Sequence, residues 1–183
     1  MIYPFDLKAV GIVLGLILVL SHAVAFVAPS CRQWLTAFPR SRVAGTILIA
    51  IAGVWSFLLI REIDLGEFAT LRFHMLVAIV AGTVLAWKFV PEFLAVRALG
   101  MIALLAAEPL LGAAFLRPET SRLLVVILAY AWIVAGLFWV GMPWLLRDQI
   151  SWVTKTGTSR LKAAAAAGAV YGAAILLCAL LFW

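Results

Sequence analysis

One carboxylate, Glu108, interrupts the apolar stretch "LLAAEPLLGAAF", and Pro109 follows it directly. At bilayer depth an ionised carboxylate is costly unless it is paired, hydrated or protonated. Pro109 cannot donate a backbone hydrogen bond and disfavours helical geometry at Glu108, so a kink here would free carbonyls one turn earlier. Freed carbonyls beside a carboxylate suit a proton, a cation or a polar group from a neighbouring chain. The alternative is structural: a protonated carboxyl bonded to a nearby polar side chain, which would set helix register. His74 and Tyr130 are the candidate partners, and with Glu108 they make up the expected ion- or proton-binding set.

His22 and His74 raise the possibility of a cofactor. His22 lies deep in the first apolar segment and His74 near the start of the third. On a helical rise of about 1.5 Å per residue they are separated by about 20 Å along the membrane normal. They are therefore excluded as the two axial ligands of one haem. A haem held by a single histidine, a pigment ligand, or a ligand shared with another subunit stays open for either residue. The plainer reading is a hydrogen-bonded helix histidine, and no cofactor is predicted. Adjacent helix positions point about 100° apart, so the "SH" pair at Ser21–His22 is a weak candidate for activation.

Other chemistry is thinly represented. Cys31 and Cys178 fall on opposite faces of the expected topology, which excludes a disulfide between them. No metal-type cysteine or histidine spacing occurs, and GxSxG, HExxH, Walker and GxGxxG signatures are absent. No catalytic residue and no metal ligand is assigned, and an enzyme is not the expected class.

The elements that carry these residues follow from composition. The chain has 183 residues, 67% hydrophobic and 12% charged, with a mean hydropathy of +1.17. A soluble domain of this length needs far more polar surface, so the solvent for most of the chain is lipid. The net charge of +6 reflects the basic bias of cytoplasmic loops; with no basic run longer than two residues, nucleic acid is not an expected partner.

Apolar runs of about 20 residues cross the hydrocarbon core as helices. Six occur, at about 7–28, 43–60, 71–90, 93–116, 123–146 and 161–183. The first resembles a secretory signal, but its basic n-region is thin and its apolar stretch is long enough to span. The third and fourth are divided only by Pro91 and its neighbours, where a tight turn is expected. The expected fold is an all-α integral membrane protein: one polytopic domain over 1–183, a six-helix bundle with short loops.

Charge sets the orientation. The first, third and fifth connections carry nine Lys or Arg (Arg32, Arg40, Arg42, Lys88, Arg97, Arg147, Lys155, Arg160, Lys162); the other side carries five (Lys8, Arg61, Arg72, Arg117, Arg122). The positive-inside rule then places both termini on the non-cytoplasmic side, in what we read as a bacterial inner (cytoplasmic) membrane. Trp34, Trp87, Trp144 and Trp152 fall at the basic interface and Trp183 at the other, where indole is favoured.

"GIVLG" (Gly11, Gly15) and "GAVYG" (Gly168, Gly172) are small-xxx-small patterns that permit close helix packing without naming the partner. Segments 72–97 and 122–147 both run from Arg to Arg with a late proline. That echo falls short of the inverted repeats of transporters. The acidic connection "REIDLGEFATLR" reads as a solvated loop, with a short docking helix as the alternative.

Six spans with short loops leave no room for a catalytic domain. The expectation is a small multi-pass protein acting as an accessory or structural subunit of a larger membrane complex, with other subunits, its own copies and lipid as partners. A small proton- or cation-coupled transporter or channel using Glu108 is the alternative, and a haem- or pigment-binding redox subunit the third. The orientation has a direct test. Alkaline phosphatase fused after Trp183 should be active and a green fluorescent protein fused there dark; the reverse pattern would invert the topology.

Overall fold

Apolar runs punctuated by arginine and proline fold as helices throughout the computed structural model, which describes residues 5–27, 30–155 and 159–183. The helices are α1 (Leu7–Val27), α2 (Cys31–Ala37), α3 (Arg42–Glu62), α4 (Arg72–Phe89), α5 (Leu94–Ala114), α6 (Leu123–Gly141), α7 (Trp144–Lys155) and α8 (Ser159–Leu181). Short 3-10 turns occupy Phe38–Arg40, Gly66–Leu71 and Thr120–Arg122, and the described residues contain no strand. Six of the helices, α1, α3, α4, α5, α6 and α8, are long and apolar enough to cross a membrane. The expected end of the first span, at residue 28, lies outside the described residues.

Prolines decide where two spans stop. Val90 precedes Pro91 with φ −122° and ψ 56°, and Met142 precedes Pro143 with φ −127° and ψ 71°. Each closes its helix because the pyrrolidine ring crowds a helical residue before it. The sequence echo between 72–97 and 122–147 is this shared stop signal. The two stops lead to different structures. After Pro91 the chain passes through left-handed Phe93 (φ 55°) and re-enters as α5. After Pro143 it forms α7.

Here the expected boundaries need correcting. The fifth span ends at Gly141 rather than 146, and the connection expected after it is mostly helical. In α7 the less exposed Leu146, Ile150, Val153 and Thr154 recur at helical spacing, while Arg147, Asp148 and Lys155 are exposed. Such a face suits the membrane interface. The first connection likewise holds a helix, α2, which packs near α7 through Leu35 beside Ile150 and Val153. By contrast, Gly66–Leu71 is a short, exposed 3-10 helix.

Lipid offers no hydrophobic drive for helices to associate, so packing rests on small residues that bring backbones together. The two glycine patterns are each other's partner. A Cβ at Gly15 would lie 3.0 Å from the Gly172 carbonyl oxygen, and one at Gly172 would lie 3.0 Å from the Val19 nitrogen and 2.6 Å from Leu18 Cβ. Gly11 lies beneath the Trp183 ring and Gly168 beneath the His22 ring. α1 and α8 thus form an antiparallel pair along their length.

A second crossing joins α5 and α6, where a Cβ at Gly100 or at Gly136 would fall 2.8 Å from the other's carbonyl oxygen. α3 runs parallel to α5, with Gly45 against Leu94 and Ala95 and a shared cluster of Ile49, Leu94 and Ala98. α4 packs on α3 through Thr83 at Gly53, and Trp87 Nε1 donates to Thr46 Oγ1 at 3.1 Å. The two halves meet in one cluster: Leu7 and Leu14 of α1, Leu110 and Ala114 of α5, Val125 and Ala129 of α6, and Ile175 of α8. Consecutive spans alternate in direction, so the basic connections collect at one end of the bundle.

Arginines close the helix ends, whose last carbonyls have no donor within the helix. Arg72 donates to the Arg61 and Ile63 carbonyls, each at 2.8 Å, at the end of α3. Arg122 reaches Ala114 O at the end of α5 (3.0 Å), and Arg97 reaches Val140 O at the end of α6 (2.8 Å). At the same end of the bundle as Arg122, Arg117 pairs with Asp6 at 2.6 Å and Trp183 Nε1 donates to Ser121 Oγ at 2.6 Å.

The glycine contacts predict unequal substitution costs. Gly172→Val drives a side chain into the α1 backbone and should lower stability by about 1–3 kcal/mol, the usual cost of overpacking. A Cβ at Gly82 meets nothing within 4 Å, so Gly82→Ala should be neutral or slightly stabilising. Melting temperatures of the purified protein in detergent would read both, and equal effects would contradict the packing.

Candidate functional site

α5 is the centre of the bundle: ten of its 21 residues are buried, against none of α4's. Its sequence explains this. Ala95, Ala98, Gly100, Ala103, Ala107, Ala113 and Ala114 are buried, and these small residues let neighbours approach on several sides. Glu108 is carried into this interior because the helix continues through Pro109 to Ala114.

The Glu108 carboxyl is half-buried and lies along its own helix. Oε1 sits 4.0 Å from where a Cβ of Gly112 would be, one turn further on. Oε2 is buried and has no hydrogen-bond partner. A turn earlier on the same face is Leu105, whose carbonyl would ordinarily accept from the nitrogen of residue 109; Pro109 has no proton to give. Glu108 thus places a buried acceptor without a donor on the central helix, beside a proline that has no proton to offer the turn before it. Such an arrangement calls for a proton, a cation or an incoming donor group.

His74 and Tyr130 do not supply that donor. His74 is an exposed residue of α4, set edge-on to Phe73 with ring centroids 6.0 Å apart, and α4 packs on α3. Tyr130 is 58% exposed: Val125 and Ala129 hold the core-facing side of α6, and the next residue points about 100° away from Ala129. The three residues of the expected set are thus on three helices and are not brought together. Thr83, another polar group within a span, donates to Ile79 O at 2.7 Å and fills the space beside Gly53.

His22 is part of the α1–α8 contact. Its Nδ1 lies 2.7 Å from the Leu18 carbonyl, which can only accept, so Nδ1 donates. Ser21 Oγ donates to the same carbonyl at 3.1 Å and lies 3.3 Å from Nδ1. Nε2 and Cδ2 are the atoms nearest the position of a Gly168 Cβ. An axial bond to a haem would have to form at the nitrogen that packs against α8. His22 and His74 sit on separate helix pairs, α1–α8 and α3–α4.

The sequence reading missed groups that act across the fold. Tyr171 Oη of α8 donates to Leu124 O of α6 at 2.8 Å, and Trp139 Nε1 of α6 donates to Gln149 Oε1 of α7 at 3.3 Å. Only the pairing of helices reveals these contacts, although Arg72 and Arg122, at the starts of α4 and α6, lie close in sequence to the carbonyls they cap.

Comparison with known proteins brings no match: no family model, curated protein or solved structure is significantly similar to this chain. The site is therefore read from its geometry.

An acceptor buried without a donor costs about 1–3 kcal/mol. Glu108→Leu, which fills a similar volume without polar atoms, should therefore raise the melting temperature in detergent, while Glu108→Gln should change it little. A marked fall with Leu would show that the carboxyl makes a stabilising contact.

Proposed function

We propose that this protein is a multi-pass membrane protein serving as an accessory or structural subunit of a larger membrane complex. The observation that carries the reading is α4. None of its residues is buried, and it joins the bundle chiefly through α3. A spanning helix is held by van der Waals packing and small-residue contacts, and α4 makes these along one narrow line only. Val77, Val80 and Val84 form an exposed stripe on it. On α3 an open groove of about 720 Å³, lined in part by Ile51, Val54, Leu58 and Glu62, offers further apolar surface. This flank of the bundle suits helices of another chain better than it suits self-contained packing. The charge bias supports a bacterial inner-membrane setting with both termini on the non-cytoplasmic side.

Native purification in mild detergent should yield a second membrane chain at fixed stoichiometry. Val80→Trp should release that chain while leaving the melting temperature of the isolated protein unchanged. A stable, companionless monomer, or a companion insensitive to Val80→Trp, would count against the reading.

A second reading rests on the partnerless Oε2 of Glu108. Intramembrane carboxyls line proton and cation paths, and a small coupled transporter or channel would use this group as its proton- or cation-binding site. In proteoliposomes Glu108→Gln should then abolish proton- or cation-dependent flux. Flux equal to that of the parent protein would remove Glu108 from the path.

A further inference from the structure

At the basic end of the bundle the N-terminus of α3, the C-terminus of α4 and the turn before α5 enclose two adjoining clefts, each of about 400 Å³. Arg42 lines both, Arg40 lines one and Lys88 the other. All three are exposed, and none forms an ion pair among the described residues; Lys88 Nζ lies over the Phe89 ring, 5.5 Å from its centroid. Glu92 is the one acid on the lining and is likewise exposed. Three cations against one anion leave a positive pocket, at a position where a free arginine gains little from water-exposed neighbours.

The walls match a membrane-interface ligand. Trp87 and Thr46 line the second cleft and bond to each other at 3.1 Å, which fixes the indole at the rim. Indoles are favoured at headgroup depth. The first turn of α3 opens on the same clefts through Arg42, and its partial positive charge adds to that of the side chains. Ser41 caps that turn by accepting from the Ala44 nitrogen at 3.2 Å, so the helix start is held in place.

The geometry points to a phosphate-binding site formed by Arg40, Arg42 and Lys88, and we propose that its occupant is the headgroup of an anionic phospholipid. A lipid is favoured over a free anion because the cleft lies between spans, with Trp87 at its rim and the exposed α4 face below, where acyl chains would lie. Basic pockets between spanning helices hold acidic headgroups in this way. The lipid would seal the α3–α4 line at the end where α4 leaves the bundle.

Native mass spectrometry of the full chain in detergent, titrated with phosphatidylglycerol or phosphatidylcholine, tests the site. One phosphatidylglycerol should be retained and phosphatidylcholine should not. Affinity should fall about fivefold for each cation lost in Arg40→Gln, Arg42→Gln and Lys88→Gln. Arg160→Gln with Lys162→Gln, at the same end but outside the cleft, should leave retention unchanged, and Arg42→Lys with Lys88→Arg should preserve it. Equal retention of both lipids, no retention, or equal loss in the control pair would overturn the proposal. Displacement of phosphatidylglycerol by millimolar inorganic phosphate would overturn the assignment to lipid, since the phosphate alone would then suffice.

Discussion

Close approach of helix backbones at glycine is the contact on which this bundle depends. In lipid, apolar side chains gain nothing by leaving the solvent, so association requires that helices come near enough for dense van der Waals contact. The Gly15–Gly172 crossing joins the first and last spans, and the Gly100–Gly136 crossing joins the central α5 to α6. Once those pairs form, Leu14, Leu110, Val125 and Ile175 meet in a single cluster between them. α3 follows through Gly45, and α4 hangs on α3 at Gly53. Burial is greatest in α5 and absent in the peripheral α4.

A second constraint acts on the ends. Every backbone carbonyl near the hydrocarbon needs a donor, and Arg72, Arg97 and Arg122 each supply one to the close of a helix. Their positive charge also complements the negative end of the helix dipole. Some of the basic residues that set topology in the sequence therefore also carry structure. Arg40, Arg42 and Lys88 cap no helix end among the described residues and line the two clefts instead.

Glu108 sits where these constraints conflict. The alanine-rich helix that lets α5 serve as the bundle's centre also carries a carboxyl and a proline into it. Their residue types were legible, and so was their position along an apolar run, because run length fixes where each residue falls along the helix. Their partners were not. His74 and Tyr130 were reasonable donors by depth alone, but depth leaves the helical phase and the neighbour undetermined. Val125 and Ala129 take the inner face of α6, which turns Tyr130 outward, and α4 carries His74 to the far side of α3. The same gap explains α2 and α7: a search for long apolar runs passes over short amphipathic helices, whose signal lies in periodicity rather than in mean hydropathy.

By itself the sequence determined an all-helical chain with six segments long and apolar enough to cross a membrane, their approximate ends and the collection of basic residues on alternate connections. Each of these rests on local quantities: run length against bilayer thickness, proline and arginine as punctuation, and charge counted by connection. Only the tertiary structure decided which helices touch. It paired "GIVLG" with "GAVYG", put α5 at the centre and α4 at the edge, and left Glu108 Oε2 without a donor. Helix pairing depends on contacts between residues up to about 170 positions apart, such as Gly11 and Ala179. In lipid, where hydrophobicity no longer ranks one apolar face above another, only shape complementarity distinguishes the partners.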